Sequence, residues 1–324
     1  MTQGGNGMAQ TNRVEIHCIG NATLDLFIAE GAETQLDIGN VTLLDSAALH
    51  AGGTAANTAM ALATLGFGAV LHTRLGDDLA GELLMTRLES AGVRVAAARD
   101  KATNTTLTIY IVETKGGSRF AYHPGTSADF AVSDLDDKLL QTAQFLHVGG
   151  TFLLPAFDGQ PCASMLAASQ QEGITTSLDP TPNITPDSLG LLAPCLPYLD
   201  YFIPNLDQAR QLSGLVEPED ASAFFRDRGA GAVVVKMAEQ GCYVQTADAS
   251  FAVPAFRVTA VEHTGAGDAF AAGFLAGLSQ DGMDLHHCIR LANAVGAMCV
   301  SSVGAADGIG TFAETLNFME QTHA

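Results

Sequence analysis

The stretch His263-Thr264-Gly265-Ala266-Gly267-Asp268-Ala269-Phe270 sets one carboxylate where small residues give way to an apolar run, Ala271 to Leu278. A helix start presents unpaired backbone N–H groups and the positive end of the helix dipole. Glycine lets an anion reach that main chain without meeting a Cβ. Gly265, Ala266 and Gly267 therefore suit an anion cradle, and Asp268 suits a base that takes a hydroxyl proton as a phosphoryl group arrives. The same octamer also reads as a plain loop and N-cap, since short glycine motifs recur without function. Two further polar residues, Asp25 and Asn205, follow the short apolar segments Val14 to Ile19 and Tyr201 to Ile203. In open α/β sheets that position, just beyond a strand's carboxyl end, is where ligands bind.

The elements that must hold these residues follow from apolar periodicity. Helices are predicted over Ala55 to Leu65 and over Asp78 to Ala91, the latter with Leu79, Leu83, Leu84 and Leu88 on one face and Gly92 as its stop. Further helices are expected over Asp268 to Leu278 and Leu285 to Val303. Strands are predicted at Val70 to Arg74, Phe145 to Val148, Ile174 to Leu178, Tyr201 to Ile203, Ala232 to Val235 and Cys242 to Gln245. Alternation of this kind implies a mostly parallel sheet with helices on both faces. Thr105 to Val112 and Arg119 to His123, flanking Lys115-Gly116-Gly117-Ser118, read as a hairpin that breaks the alternation and belongs to a small second sheet. Met1 to Asn12 reads as a disordered tail, and residues 13–324 as one domain with a lid from about 26–49 and 103–125.

Composition narrows the classes of function. The 324 residues are 47% hydrophobic and 15% charged, enough for a large α/β core. No apolar run approaches bilayer length, and no secretory pattern opens the chain. The six cysteines are scattered, with no CxxC pair, and read as core fillers in a reducing cytoplasm. A formal charge of −20 disfavours nucleic acid as a partner. An anion such as phosphate would have to be bound locally, by backbone dipoles and a cation. The first strand is not followed by Gly-x-Gly-x-x-Gly, which argues against a dinucleotide-dependent oxidoreductase.

Two signatures together carry a resemblance. Gly52-Gly53-Thr54-Ala55-Ala56-Asn57-Thr58-Ala59, with Leu65-Gly66 and Gly76-Asp77-Asp78-Leu79-Ala80-Gly81 after it, precedes the Thr264 to Gly273 stretch. In both, and in their order, the chain resembles the ribokinase-like (PfkB) carbohydrate kinases from about residue 14 to about 312. The resemblance implies a three-layer αβα fold with a mostly parallel central sheet and a small β-sheet lid. It implies Asp268 as catalytic base, Gly265, Ala266 and Gly267 as anion hole, and Asp25, Gly53 and Asn57 as acceptor contacts. It places Asn205, Lys236, Gly241 and Asn293 near the nucleotide, and Asp179 and Asn183 near the substrate. ATP and Mg²⁺ are the implied cofactors, with Glu262 as a candidate for a monovalent cation such as K⁺. A homodimer through the lid is implied as well.

The chain also departs from the pattern. Gln208 stands where the Asn-x-x-Glu motif has a carboxylate, Asp207 precedes it, Ala238 replaces a glycine, and His263 neighbours Glu262. The expected activity is ATP-dependent phosphorylation of a hydroxymethyl group on a sugar or sugar-like acceptor. A nucleoside kinase is the alternative, with Phe27, Tyr110, Phe120 and Tyr122 as base-stacking candidates. A weakly catalytic sugar-binding or regulatory protein is a third reading, prompted by Gln208 and Ala238. A phosphorylated sugar is disfavoured by the scarcity of basic residues, Arg74 and Arg119 being the exceptions.

Overall fold

A computed structural model describes residues 14–30, 44–112, 118–301 and 308–322. The expected tail, the turn at Lys115 to Gly117 and most of the loop beyond Ser301 lie outside the described residues. The strands are β1 (Glu15–Gly20), β2 (Thr23–Glu30), β3 (Leu44–Gly52), β4 (Gly68–Gly76), β5 (Arg94–Asp100), β6 (Leu107–Val112), β7 (Ser118–His123), β8 (Phe145–Thr151), β9 (Thr175–Pro180), β10 (Tyr201–Phe202), β11 (Ala232–Lys236), β12 (Cys242–Gln245) and β13 (Ser250–Val253). The helices are α1 (Thr54–Leu65), α2 (Leu79–Ser90), α3 (Gly125–Asp129), α4 (Asp137–Leu140), α5 (Gln160–Gln171), α6 (Ser188–Leu192), α7 (Leu206–Ser213), α8 (Pro218–Arg226), α9 (Ala266–Leu278), α10 (Leu285–Val300) and α11 (Phe312–Gln321).

Nine strands form one sheet in the order β13-β12-β11-β10-β9-β8-β1-β4-β5. The run from β11 to β5 is parallel, and β12 and β13 return antiparallel. Its central strands are buried on both faces, as parallel strands require. In β11, Val233 and Val235 join the core on one side and Val234 the core on the other. The remaining four strands form the small sheet β3-β2-β6-β7. The chain passes from β1 to β2 through Gly20-Asn21-Ala22, so Asp25 leaves the main sheet and enters the small one.

Small residues let α9 lie close on α10. A Cβ on Gly273 would stand 2.8 Å from Val295 Cγ2 and 3.0 Å from Ala292 Cα, and one on Gly277 would stand 2.9 Å from Cys288 Cα. We predict that Gly273→Val lowers stability by about 3 kcal/mol, from overpacking at a backbone contact, read as a lower urea midpoint at unchanged m-value.

Several local expectations need correction. Leu79 is 88% exposed, because Asp78 caps α2 and turns its first residue outward; the buried face of the helix is Gly81, Leu84 and Leu88. β5, β13 and α11 were not expected. β5 is an edge strand built on Arg94-Val95-Ala96-Ala97-Ala98-Arg99, a composition with little strand preference.

Candidate active site

Two glycine-led helix starts face one another at the carboxyl end of the main sheet. Gly53 heads α1 with φ 95°, and Gly265 heads α9 with φ 78°. Neither start carries a side-chain cap, a feature shared with α5 behind Gly159 and with α8, whereas α2, α7, α10 and α11 are capped by Asp78, Asn205, Asp284 and Thr311. Side-chain caps would occupy the first-turn N–H groups that an incoming anion needs. Of the three residues read as an anion hole, Ala266 donates a long hydrogen bond to the His263 carbonyl at 3.3 Å. Gly267 has Lys236 in front of it, where a Cβ would lie 3.2 Å from Nζ.

Asp268 sits in the first turn of α9, partly open to the crevice. Asn57 Nδ2, on α1, donates to its Oδ2 at 2.8 Å. Burial, and then the Asp179 charge, push the Asp268 carboxyl up to about 7, while the Asn57 hydrogen bond and Lys236 pull it back. Lys236, at the end of β11, forms an ion pair with Asp179 at the end of β9. Burial raises the Asp179 carboxyl, and the Lys236 ammonium offsets part of that rise. The link between these two residues spans β10 and could not be read from sequence, because it depends on the register of three parallel strands.

Asp25 is buried on β2 and paired across the ladders with His50 and Thr108. Thr23 Oγ1 donates to its Oδ1 at 2.6 Å. Burial pushes its carboxyl up to about 6 against the Thr23 and Thr108 hydroxyls. The position exists only because residue 52 is glycine: a Cβ there would fall 1.9 Å from Asp25 Oδ2. We predict that Gly52→Ala displaces this carboxylate and raises the acceptor KM by about 10-fold or more, the worth of one charge-assisted hydrogen bond, with the ATP KM unchanged. Initial-rate kinetics varying each substrate in turn would check this.

Asn205 caps α7 in a reciprocal box: its Oδ1 accepts from Gln208 N at 2.8 Å, and Gln208 Oε1 accepts from Asn205 N at 2.7 Å. Gln208 Nε2 then donates to the Pro180 carbonyl at 2.7 Å, next to Asp179. A glutamate here would set a carboxylate oxygen against that carbonyl, so glutamine is the residue this network accepts. Asp207 does not take over, being 83% exposed and turned toward Arg210. Asn293 donates to the carbonyls of Val253 and Pro254, tying α10 to the end of β13. Gly241 has φ 90°, and a Cβ on it would meet the Val253 carbonyl oxygen at 2.0 Å. Asn183 donates to the carbonyl of Phe152, a non-glycine residue at φ 80°. Glu262 N bonds the Val300 carbonyl at 3.3 Å; residues 302–307, part of the stretch expected to help hold a monovalent cation, lie outside the described residues. Arg74 is committed to Asp100 and Asp134.

The sequence over residues 15–311 matches the model of the pfkB family carbohydrate kinases. The chain belongs to the PfkB family. It is 32% identical over 269 residues to an ATP-dependent ribose-1-phosphate kinase of Halopiger xanaduensis, covering 81% of this chain and 86% of that protein. It is 30% identical over 292 residues to an aminoimidazole riboside kinase of Salmonella typhimurium, covering 84% and 88%. Arabidopsis thaliana ribokinase, solved with ribose and ATP, superposes with a TM-score of 0.83 at 21% identity, over 95% of this chain and 99% of that one. The expected ribokinase-like fold with a small second sheet is thereby borne out. As a PfkB enzyme the chain is a phosphotransferase acting on hydroxyl groups, a family that uses ATP. No helix among the described residues is long and apolar enough to cross a membrane.

Proposed function

We propose that this PfkB enzyme transfers the γ-phosphoryl group of ATP to a hydroxymethyl group of a sugar or riboside, with Asp268 as base. The observation that carries the reading is Asp268 at an uncapped, glycine-led helix start, bonded to Asn57 and flanked by Lys236. A carboxyl held near 7 is poised to accept a proton at neutral pH. The first-turn amides at Gly265 to Gly267 and the Lys236 ammonium neutralise charge on the transferring phosphoryl, the main demand of this chemistry. Asp25 accepts hydrogen bonds from acceptor hydroxyls and, with Gly53 and Asn57, sets the hydroxymethyl group against Asp268. Asn205, Gly241 and Asn293 shape the nucleotide side of the crevice through the backbone bonds they make.

A divalent cation fits this site as a passenger of the nucleotide. Asp25, Asp179 and Asp268 crowd the crevice with negative charge, so a polyphosphate needs a counter-cation to enter. Among the described residues no cluster of acidic and histidine side chains forms a metal cage, and Gln208 has both polar ends committed. Mg²⁺ would sit on phosphates and water, where it supplies charge neutralisation when bound. A monovalent cation at Glu262 belongs to the same proposal and predicts stimulation by K⁺. A homodimer through the outer face of the lid, where Leu49 is exposed, is also part of it and is read by light scattering.

One observation favours ribosides with a planar substituent over plain sugars. Phe27 and Tyr110 stack at 4.4 Å with an interplanar angle of 4°, and Phe120 leans on Tyr110. Ladder register puts all three on the face of the small sheet that carries Asp25. Asp25 lies on this same face, and the Tyr110 hydroxyl is raised by burial and then by the charges of Asp25, Asp268 and Glu262. Phe120 is 70% exposed, which leaves an aromatic surface beside the acceptor contacts. With Arg74 committed to two aspartates and Arg119 placed by ladder register on the face of the small sheet opposite Asp25, a neutral acceptor fits better than a phosphorylated one. Acceptor-dependent ADP release over a panel of pentoses, hexoses, ribosides and ribose 1-phosphate tests the reading. Ribosides are expected to give the highest kcat/KM. Turnover confined to ribose 1-phosphate would overturn the neutral-acceptor assignment, and no acceptor-dependent release would overturn the kinase reading.

A further inference from the structure

Asn57 does more in this geometry than line the acceptor site. Its amide lies on α1, and the carboxylate it touches lies on α9, 211 residues later in the chain. In the ionised form that acts as base, the Asp268 carboxylate only accepts hydrogen bonds, so there the NH₂ group of Asn57 faces it and the carbonyl faces away. That carbonyl oxygen, Oδ1, is buried and has no hydrogen-bond partner among the described residues. An unpaired buried acceptor is costly and is kept where a ligand supplies the donor. One rigid amide plane thus offers an acceptor for a substrate hydroxyl on one side and a donor to Asp268 on the other. Among the described residues no second hydrogen bond reaches the Asp268 carboxylate.

We propose that Asn57 is the positioning residue of the base: it anchors Oδ2 of Asp268 and leaves Oδ1 to take the proton, in register with the acceptor that Asn57 itself holds. This rests on Asp268 being the base. Without the anchor, the carboxylate would be free to turn about its χ angles in a crevice with several competing charges. Those facing it are Asp25 from β2, Asp179 from β9 and Lys236 from β11, with the Tyr110 hydroxyl from β6 and the Cys18 and Cys299 thiols from β1 and α10. Asp179 and Asp25 push the Asp268 carboxyl up, and the Asn57 hydrogen bond pulls it down. Losing that bond therefore moves the acid limb of the pH–rate profile to higher pH.

The discriminating variant is Asn57→Asp. It is isosteric and keeps an oxygen for the acceptor, but replaces the donor with a group that competes with Asp268 for a proton. The expected result is an acceptor KM within about 3-fold of wild type, kcat at pH 7 lower by about 10- to 100-fold, the scale of a displaced catalytic group, and an acid limb shifted upward, with the alkaline plateau still below wild type because the anchor stays lost. Asn57→Ala should shift the limb the same way while also raising the acceptor KM, and it serves if Asn57→Asp does not fold. A change in acceptor KM alone, with kcat and the acid limb as in wild type, would overturn the positioning role and leave Asn57 as a floor contact. Asp268→Asn, assayed alongside, separates the two claims: full turnover in that variant would instead remove the base on which the proposal rests.

Discussion

Asp268→Asn lowers kcat by about 10³-fold or more, the upper range for a positioned general base, while ATP and acceptor still bind. The change removes the proposed proton acceptor and little else. Asparagine has the same shape, its carbonyl can still accept from Asn57, and the glycine-led start of α9 is untouched. Removing one negative charge beside Asp25 and Asp179 should, if anything, tighten nucleotide binding. In the wild type, kcat/KM should fall on the acid side with a midpoint near pH 7, as the carboxyl held at about 7 takes up its proton. Stability carries the opposite sign. A carboxyl whose folded pKa lies above its unfolded value stabilises the fold at low pH and loses that contribution as pH rises from about 4 through 7. Asp268→Asn should therefore melt at a higher temperature than wild type at pH 8 and show less difference at pH 4. Isothermal titration, a pH–rate profile and thermal melts at the two pH values check the three parts separately.

Lys236→Met is the second large effect. Lys236 is a cation in direct contact with Asp179 and in front of Gly267. On the proposed reading its loss removes a donor to the transferring phosphoryl, and it leaves Asp179, whose side chain is 3% exposed, without its partner. We predict a fall of about 10²- to 10³-fold in kcat/KM for ATP, the scale for one lost donor at a charge-developing site. A buried carboxylate left unpaired also costs about 3–5 kcal/mol of stability. The two losses separate in a double-mutant cycle. Lys236→Met with Asp179→Asn should regain most of the stability and little of the rate. If the double variant recovered the ATP kinetics as well, Lys236 would be a structural ion-pair partner and not a phosphate contact.

The outline of the fold was legible because it is written in local patterns. Apolar runs such as Ala232 to Val235, small-residue helices such as α1 and α9, and the alternation between them need only windows of a dozen residues. The glycines at 52, 53 and 265 were legible for the same reason: a Cβ at 52 or 53 would meet a close neighbour, and 265 holds a left-handed backbone. Pairings across the fold were not. The Lys236–Asp179 ion pair and the Asn57–Asp268 hydrogen bond join residues 57 and 211 positions apart, and only strand order and helix packing bring them together. Gln208 reads in the sequence as a lost carboxylate. In the fold it is a gained amide, since Nε2 fills a role toward the Pro180 carbonyl that an ionised glutamate could not. Leu79 was misplaced because its periodicity fits the buried face of α2, while the cap at Asp78 decides where that helix begins.

The central claim is phosphoryl transfer to a hydroxymethyl group, and proton-coupled ³¹P NMR of the product formed from ATP and the best acceptor of the panel tests it most directly. A phosphate ester on a CH₂ carbon couples to two protons and appears as a triplet, formed by the wild type and not by Asp268→Asn. A doublet, marking an ester on a secondary hydroxyl, or inorganic phosphate as the sole product would contradict the account.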